Sequence, residues 1–196
     1  RSVADGLLDA YDNELRRPSR TVYVLDTSGS MEGDRLKRLK KALTDVSADF
    51  RGREEVTLMP FGSAVKDVRG LTMDADPRSG IEDIRADIQA LTAEGDTAIY
   101  SSLEQAYGQL RGERDMFTSI VLMTDGENTT GSTAAEFEAF YRALSPAQRQ
   151  IPVFPILFGD SDRSALEHLA DLTGGRLFDA QKGSLDGAFE EIRGYQ

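Results

Sequence analysis

The chain alternates short runs of β-branched and apolar residues with longer segments in which apolar residues recur every three or four positions. Such alternation is typical of a parallel sheet connected by helices. Strands are predicted over residues 21–26, 55–61, 118–124, 152–158 and 175–178. The tight connection Gly62-Ser63 favours an antiparallel hairpin, so residues 64–71 are predicted to add an edge strand. The sequence thus predicts an α/β fold with an open, doubly wound, mostly parallel six-stranded sheet.

About six helices are predicted to flank this sheet, because each of the intervening segments carries one apolar stripe. They fall within residues 34–50, 81–91, 99–110, 137–144, 166–172 and 185–192. Residues 1–20 form another stripe, which Pro18 ends. We interpret residues 1–20 as a helical arm or a junction to an upstream domain, and residues 21–196 as the globular domain.

Composition limits the classes of partner. Acidic residues outnumber basic ones by 34 to 23, which gives a net charge of −11, so nucleic acid and anionic membrane surfaces are not expected partners. No apolar run is long enough for direct membrane insertion. With no cysteine and one histidine, His168, the chain is not suited to a zinc site of sulfur and nitrogen ligands. We assign His168 no function.

The polar residues at predicted strand ends carry the functional information. Asp26-Thr27-Ser28-Gly29-Ser30 follows the first strand, Thr97 begins a helix, and Thr124-Asp125-Gly126 ends another strand. In an open α/β sheet, ligands bind at the carboxyl ends of the strands where strand order reverses. Asp26 and Asp125 are expected to be neighbours there, with the Thr97 hydroxyl pointing into the same crevice.

These residues form an oxygen-only ligand set of the kind that Mg2+ prefers. Each part alone has a local explanation, because Asp, Ser and Thr also favour turns and helix caps. Their joint occurrence in this order indicates a metal site with Asp26, Ser28, Ser30, Thr97 and Asp125 as ligands. If hydroxyls bind directly and the aspartates act partly through water, the ion keeps enough charge to attract one more oxygen.

The order Asp-x-Ser-x-Ser, a lone Thr and a later Asp resembles the von Willebrand factor type A (VWA) domain with its metal-ion-dependent adhesion site. The resemblance implies a Rossmann-like fold, a bound Mg2+ (Mn2+ or Ca2+ as substitutes), and a protein ligand that presents a carboxylate to the ion. It implies a binding or adhesion module and not an enzyme. The alternatives are a VWA subunit of an intracellular assembly with an ATPase and, third, a Mg2+-dependent hydrolase.

Two further expectations concern context. Residues 13–20 look like the junction in actinobacterial surface proteins where a VWA domain follows a solute-binding-type domain. This favours an extracellular or cell-surface location, with an intracellular one as the alternative. Because the chain begins at Arg1, we expect a piece of a longer protein, either monomeric or part of a larger chain. The basic residues between Arg35 and Lys41 are expected to solvate the outer face of their helix, with electrostatic contact with a partner as the alternative.

Overall fold

The computed structural model of the protein describes residues 18–113, 115–159, 162–181 and 185–194. Six strands form one sheet in the order β3-β2-β1-β4-β5-β6. The strands are β1 (Ser19–Asp26), β2 (Glu55–Phe61), β3 (Arg69–Thr72), β4 (Phe117–Thr124), β5 (Val153–Leu157) and β6 (Phe178–Asp179). All neighbouring pairs are parallel except β2 and β3. The predicted mostly parallel sheet with one antiparallel edge strand is confirmed.

Six α-helices and two short 3-10 helices lie in the part of the chain that the structure describes. The α-helices are α1 (Asp34–Ser47), α2 (Arg78–Gln89), α3 (Ile99–Gly108), α4 (Ala134–Arg142), α5 (Arg163–Thr173) and α6 (Leu185–Gly194). The 3-10 turns are Gly29–Met31 and Gln148–Gln150. The helix predicted before Pro18 falls outside the described residues, and the proposed division at residue 20 stays a prediction.

The sheet has a hydrophobic core on each face, as a doubly wound fold requires. Alternate side chains of β1 enter opposite cores, with Leu25 on one side and Val24 on the other. The first core is built with Leu39 of α1, Ile84 of α2 and Phe189 of α6. The second core contains the apolar faces of α3, α4 and α5, which contribute Leu103, Phe137 and Leu166, among others. The predicted helical stripes are therefore the buried faces.

Two strands are half as long as predicted. In the predicted edge strand 64–71, Val65 makes only an isolated bridge to Phe61, and regular pairing with β2 is confined to Arg69–Thr72. Between them the Val68 N–H donates to its neighbour Asp67, which leaves it unavailable to the ladder. The predicted strand 175–178 pairs only from Phe178, since the Gly175 N–H donates to the carbonyl of Ala170 at the end of α5.

Candidate metal centre

The sheet reverses its strand order between β1 and β4, and both strands end at the same edge. Asp26 is the last residue of β1, and Asp125 directly follows β4. These strands pair in parallel with Leu25 opposite Met123, so the two aspartates lie at the ends of adjacent strands, where the strand order reverses. Asp125 is close enough for its negative charge to raise the pKa of Asp26. The predicted juxtaposition of the two carboxylates is therefore present.

Asp26 is fully buried and held by two hydrogen bonds. Its Oδ1 accepts the Ser28 N–H at 3.0 Å, and its Oδ2 accepts the Thr124 hydroxyl at 2.7 Å. Burial raises the pKa of Asp26 because it removes water from the charged form; the bonds from Ser28 and Thr124 oppose this, and the charge of Asp125 adds to it. The site thus contains a desolvated carboxyl with a geometry fixed from both sides.

The two serines of the first motif place hydroxyls at different depths. Ser28 is buried, whereas Ser30 lies exposed in the 3-10 turn Gly29–Met31. Their Oγ atoms are 3.2 Å apart, with either able to donate. Met31 anchors the turn because its side chain is completely buried in the core. One hydroxyl therefore lies in the interior of the site and the other at its rim.

Backbone bonds connect this turn to the loop that precedes Thr97. The Gly29 N–H donates to the Gly95 carbonyl at 2.9 Å, and the Glu94 N–H donates to the Thr27 carbonyl at 2.8 Å. Lys66 donates from Nζ to the same Thr27 carbonyl at 2.7 Å, and burial lowers the pKa of this lysine. Lys66 Nζ also lies 3.3 Å from the Thr92 carbonyl, so main-chain contacts and one lysine ammonium connect the two loops.

Thr97 is buried and is positioned by the loop after β4. Its N–H donates to Thr129 Oγ1 at 2.9 Å, and the Thr129 N–H donates back to the Thr97 carbonyl at 2.8 Å. Next to it, the N–H of Ile99 at the start of α3 donates to Asn128 Oδ1 at 2.9 Å. Asn128 thus caps α3 from a separate loop, a role that the sequence analysis did not identify. These contacts bring the Thr97 and Asp125 loops together.

Asp125 has a cationic partner that the sequence analysis missed. Arg35 Nη1 donates to Asp125 Oδ2 at 3.1 Å, with the arginine side chain 46% exposed and the aspartate 6% exposed. The expectation that this arginine only solvates α1 is therefore wrong. Its position in the first turn of a helix that begins at the carboxyl edge of the sheet could have indicated that it lies near the site. Gly126, with φ at 106°, follows Asp125 in a conformation that favours glycine.

The donor set fits a hard divalent cation. The described residues contain no group of three or more His, Cys, Asp or Glu side chains suited to a metal, so hydroxyl oxygens would have to complete the site. Ser28, Ser30 and Thr97 offer them beside Asp26 and Asp125. Buried charges in proteins are normally paired or bound to metal. The amide and the hydroxyl that donate to Asp26 are neutral, and the charge of Lys66 acts on it from nearby, so a bound cation would further compensate this buried carboxylate.

Two other features lie away from this edge. A cavity of about 690 Å³ opens beside the starts of β4 and β5, where Phe117, Pro152 and Gly174 line it, and no candidate ligand belongs to its lining. His168 is exposed on α5, with Nε2 3.3 Å from Glu138 Oε2 of α4. Neither feature contributes to the metal site.

Fold and site define an α/β domain with a polar, oxygen-rich edge at its topological reversal. A family model for the von Willebrand factor type A domain matches residues 21–127, more than half of the chain. The protein therefore belongs to the VWA domain family, a family of protein-interaction and adhesion modules that often bind a metal. A bovine relative, inter-alpha-trypsin inhibitor heavy chain H1, is 28% identical over 176 residues. That match covers 86% of this chain but 19% of the relative's length.

Solved structures support the same fold. A von Willebrand factor type A protein from Catenulispora acidiphila superposes with a TM-score of 0.68 at 18% identity, covering 90% of this chain and 41% of that one. Proximal thread matrix protein 1 from the mussel byssus, described with a zinc-occupied MIDAS motif, gives a TM-score of 0.61 at 19% identity. The match covers 89% of this chain and 44% of that one. The predicted VWA fold is confirmed. No helix among the residues described here has the length and apolar character needed to cross a membrane.

Proposed function

We propose that this domain is a metal-dependent protein-binding module. Mg2+, with Mn2+ or Ca2+ as substitutes, would be held by Asp26, Ser28, Ser30, Thr97 and Asp125, which together make an adhesion site. The observation that carries the proposal is the pair of buried carboxylates beside three hydroxyls at one sheet edge. Carboxylate and hydroxyl oxygens are ligands suited to Mg2+, which prefers six oxygens and commonly keeps exchangeable water.

The partner would present an acidic side chain to the site. The bound ion would act as a Lewis acid that attracts one external anionic oxygen, because only two of the five protein ligands are charged. The chain as a whole carries a charge of −11, so long-range attraction toward an acidic partner is unfavourable. Recognition would therefore depend on the local field at the carboxyl edge. The mussel protein with an occupied MIDAS motif supports metal binding by this fold.

We place the protein among binding modules and not among enzymes. Its single histidine, His168, faces Glu138 on the neighbouring helix and no serine in the described residues, which leaves a serine nucleophile without a histidine base. We also propose an extracellular or cell-surface location, which the relation to a byssal thread matrix protein supports. An upstream solute-binding-type domain, as in actinobacterial surface proteins, belongs to the same proposal and is tested by the natural flanking sequence.

Calorimetric titration with Mn2+ tests the metal site. One ion should bind, and Asp26→Ala or Asp125→Ala should abolish binding because these aspartates supply the site's negative charge. Thr97→Ala should weaken binding less, since it removes a neutral oxygen. Asp49→Ala, at an exposed aspartate after α1, is the matched control and should bind as the unaltered domain does. Unchanged Mn2+ binding by a folded Asp26→Ala domain would reject the proposal.

A separate experiment tests whether binding of a protein partner depends on the metal ion. Partners captured by the immobilised domain should be lost in EDTA, regained with Mg2+, and bound poorly by folded Thr97→Ala protein. The partner's acidic residues should then be replaced by amides one at a time, and a single replacement should remove binding. A captured protein whose affinity ignores both EDTA and Asp26→Ala would show that recognition uses another surface.

A further inference from the structure

The ion pair between Arg35 and Asp125 places a permanent positive charge beside the proposed metal ligands. The guanidinium comes from the first turn of α1 and reaches a carboxylate 90 residues further along the chain. The carboxylate is almost fully buried, whereas nearly half of the arginine side chain stays exposed. Arg35 therefore forms part of the rim of the site while it pairs with one of its ligands.

Other cations of α1 are directed elsewhere. Arg38 donates from Nη2 to the Ala180 carbonyl at 2.8 Å, and Lys40 donates from Nζ to the Gln89 carbonyl at 2.9 Å. Lys41 pairs with Asp45 one turn along the same helix. Among the basic residues of α1, Arg35 is the one for which the described contacts include a proposed metal ligand. Its charge therefore acts on the site in a way that the others do not.

The guanidinium of Arg35 changes the net charge of the proposed metal site. Asp26 and Asp125 with Arg35 carry a formal charge of −1, and a divalent cation converts this to +1. Lys66, whose charge also acts on Asp26, adds the same positive charge with or without Arg35. Without Arg35, the charges of the two carboxylates and the same cation would cancel, so Arg35 raises the charge of the loaded site by one unit. Like charges a few ångströms apart repel appreciably at the edge of a protein. Arg35 should thus weaken retention of the metal and leave the loaded site with a surplus positive charge.

We propose that Arg35 tunes the site for anionic ligands, by lowering metal affinity and raising the affinity of the loaded site for a carboxylate. This inference rests on the proposed metal-dependent function and adds a specificity residue to it. The arginine acts by charge, and its contact with Asp125 fixes where that charge lies. Replacing it by a neutral side chain should therefore move the two affinities in opposite directions, which a purely structural contact would not do.

The test compares Arg35→Gln with Lys37→Gln, an exposed position on the same helix whose substitution changes the net charge equally. Calorimetric titration should give about tenfold tighter Mn2+ binding for Arg35→Gln, as expected for loss of one nearby unit charge. Lys37→Gln should stay within about twofold of the unaltered domain, because exposed charges further away are largely screened. Arg35→Lys, which keeps the charge, should also stay near the unaltered value.

Carboxylate affinity is measured with acetate as the probe. Acetate should lower the water-proton relaxation of the Mn2+-loaded domain as it displaces bound water, and Arg35→Gln should need several-fold more acetate for the same effect. Equal or weaker Mn2+ binding by Arg35→Gln would overturn the role of Arg35 while leaving the metal site intact. Absence of Mn2+ binding by the unaltered domain would overturn the proposed function and this inference together.

Discussion

The Thr124 hydroxyl donates a 2.7 Å hydrogen bond to Oδ2 of Asp26, and both side chains are completely buried at the ends of adjacent strands. Threonine at the last position of β4 therefore stabilises the ionised form of an aspartate 98 residues earlier in the chain. It does so in opposition to burial, which raises the pKa of that carboxyl. The balance between these effects governs how protons compete with a cation for Asp26.

Acidification should weaken Mn2+ binding at a higher pH than an ordinary aspartate would imply, because the pKa of Asp26 is raised. Thr124→Val should shift this loss to still higher pH, since it removes a bond that favours the carboxylate. Titration calorimetry over about pH 5 to 7.5 measures both profiles, spanning the range above the usual aspartate value. Coincident profiles for Thr124→Val and the unaltered domain would contradict this account.

Asp26→Asn should abolish Mn2+ binding and yet raise the thermal unfolding midpoint in EDTA at neutral pH. Because the folded-state pKa of Asp26 is raised, its contribution to stability is present below the unfolded-state value and is lost as pH rises through the folded-state value. The advantage of Asp26→Asn should therefore shrink toward acidic pH. Asp49→Asn, at an exposed site, should show no such trend. A lower midpoint for Asp26→Asn at neutral pH would refute the prediction.

Asn128→Ala should cost about 1 kcal/mol of unfolding free energy, the usual value of a helix cap, because the Ile99 N–H loses its acceptor. Mn2+ affinity should fall as well, since Thr97 lies two residues before Ile99. Asn128→Asp keeps an acceptor and should retain most of the stability. Denaturant titration and calorimetry on the three proteins decide this. Equal losses in both variants would mean that the cap is not the cause.

Leu39→Ala and Leu103→Ala should each cost about 2 to 5 kcal/mol, because both side chains are fully buried on opposite faces of the sheet. Lys37→Ala should change the unfolding free energy by less than about 0.5 kcal/mol, as is usual for an exposed site. Urea titration measures all three. A larger loss for Lys37→Ala than for Leu39→Ala would mean that the buried face of α1 is misassigned.

The helices and central strands could be predicted because the spacing of apolar residues within each element shows which of its faces is buried. Glu55–Phe61 matches its predicted strand bounds, and the stripes on α1 and α3 are the faces that pack. The edge strand was less predictable, because pairing at a sheet edge depends on local side-chain bonds such as that of Asp67 with the following amide.

The positioning residues of the site were largely invisible to sequence reasoning. Asp26 and Asp125 were predictable because strand ends at a topological reversal converge. Arg35 and Asn128 contact residues 90 and 29 positions away. These contacts depend on how α1 and the loop after β4 pack against the sheet. Arginine in a helix and asparagine in a turn are ordinary choices, so neither residue type marks such a role. The predicted topology of the sheet could have shown only that both residues lie near its carboxyl edge.

The central place of β1 in the sheet has a mechanical consequence. Ser19 and Asp26 are the two ends of this strand, and it is hydrogen-bonded to β2 on one edge and β4 on the other. A tension applied between the chain before Ser19 and a ligand held at Asp26 would run along the strand axis. It would load both hydrogen-bonded ladders in shear, so that many bonds resist together, whereas a strand peeled from the sheet's rim yields bond by bond. A ligand bound at this site would therefore pull on the central strand in the direction that both ladders resist together.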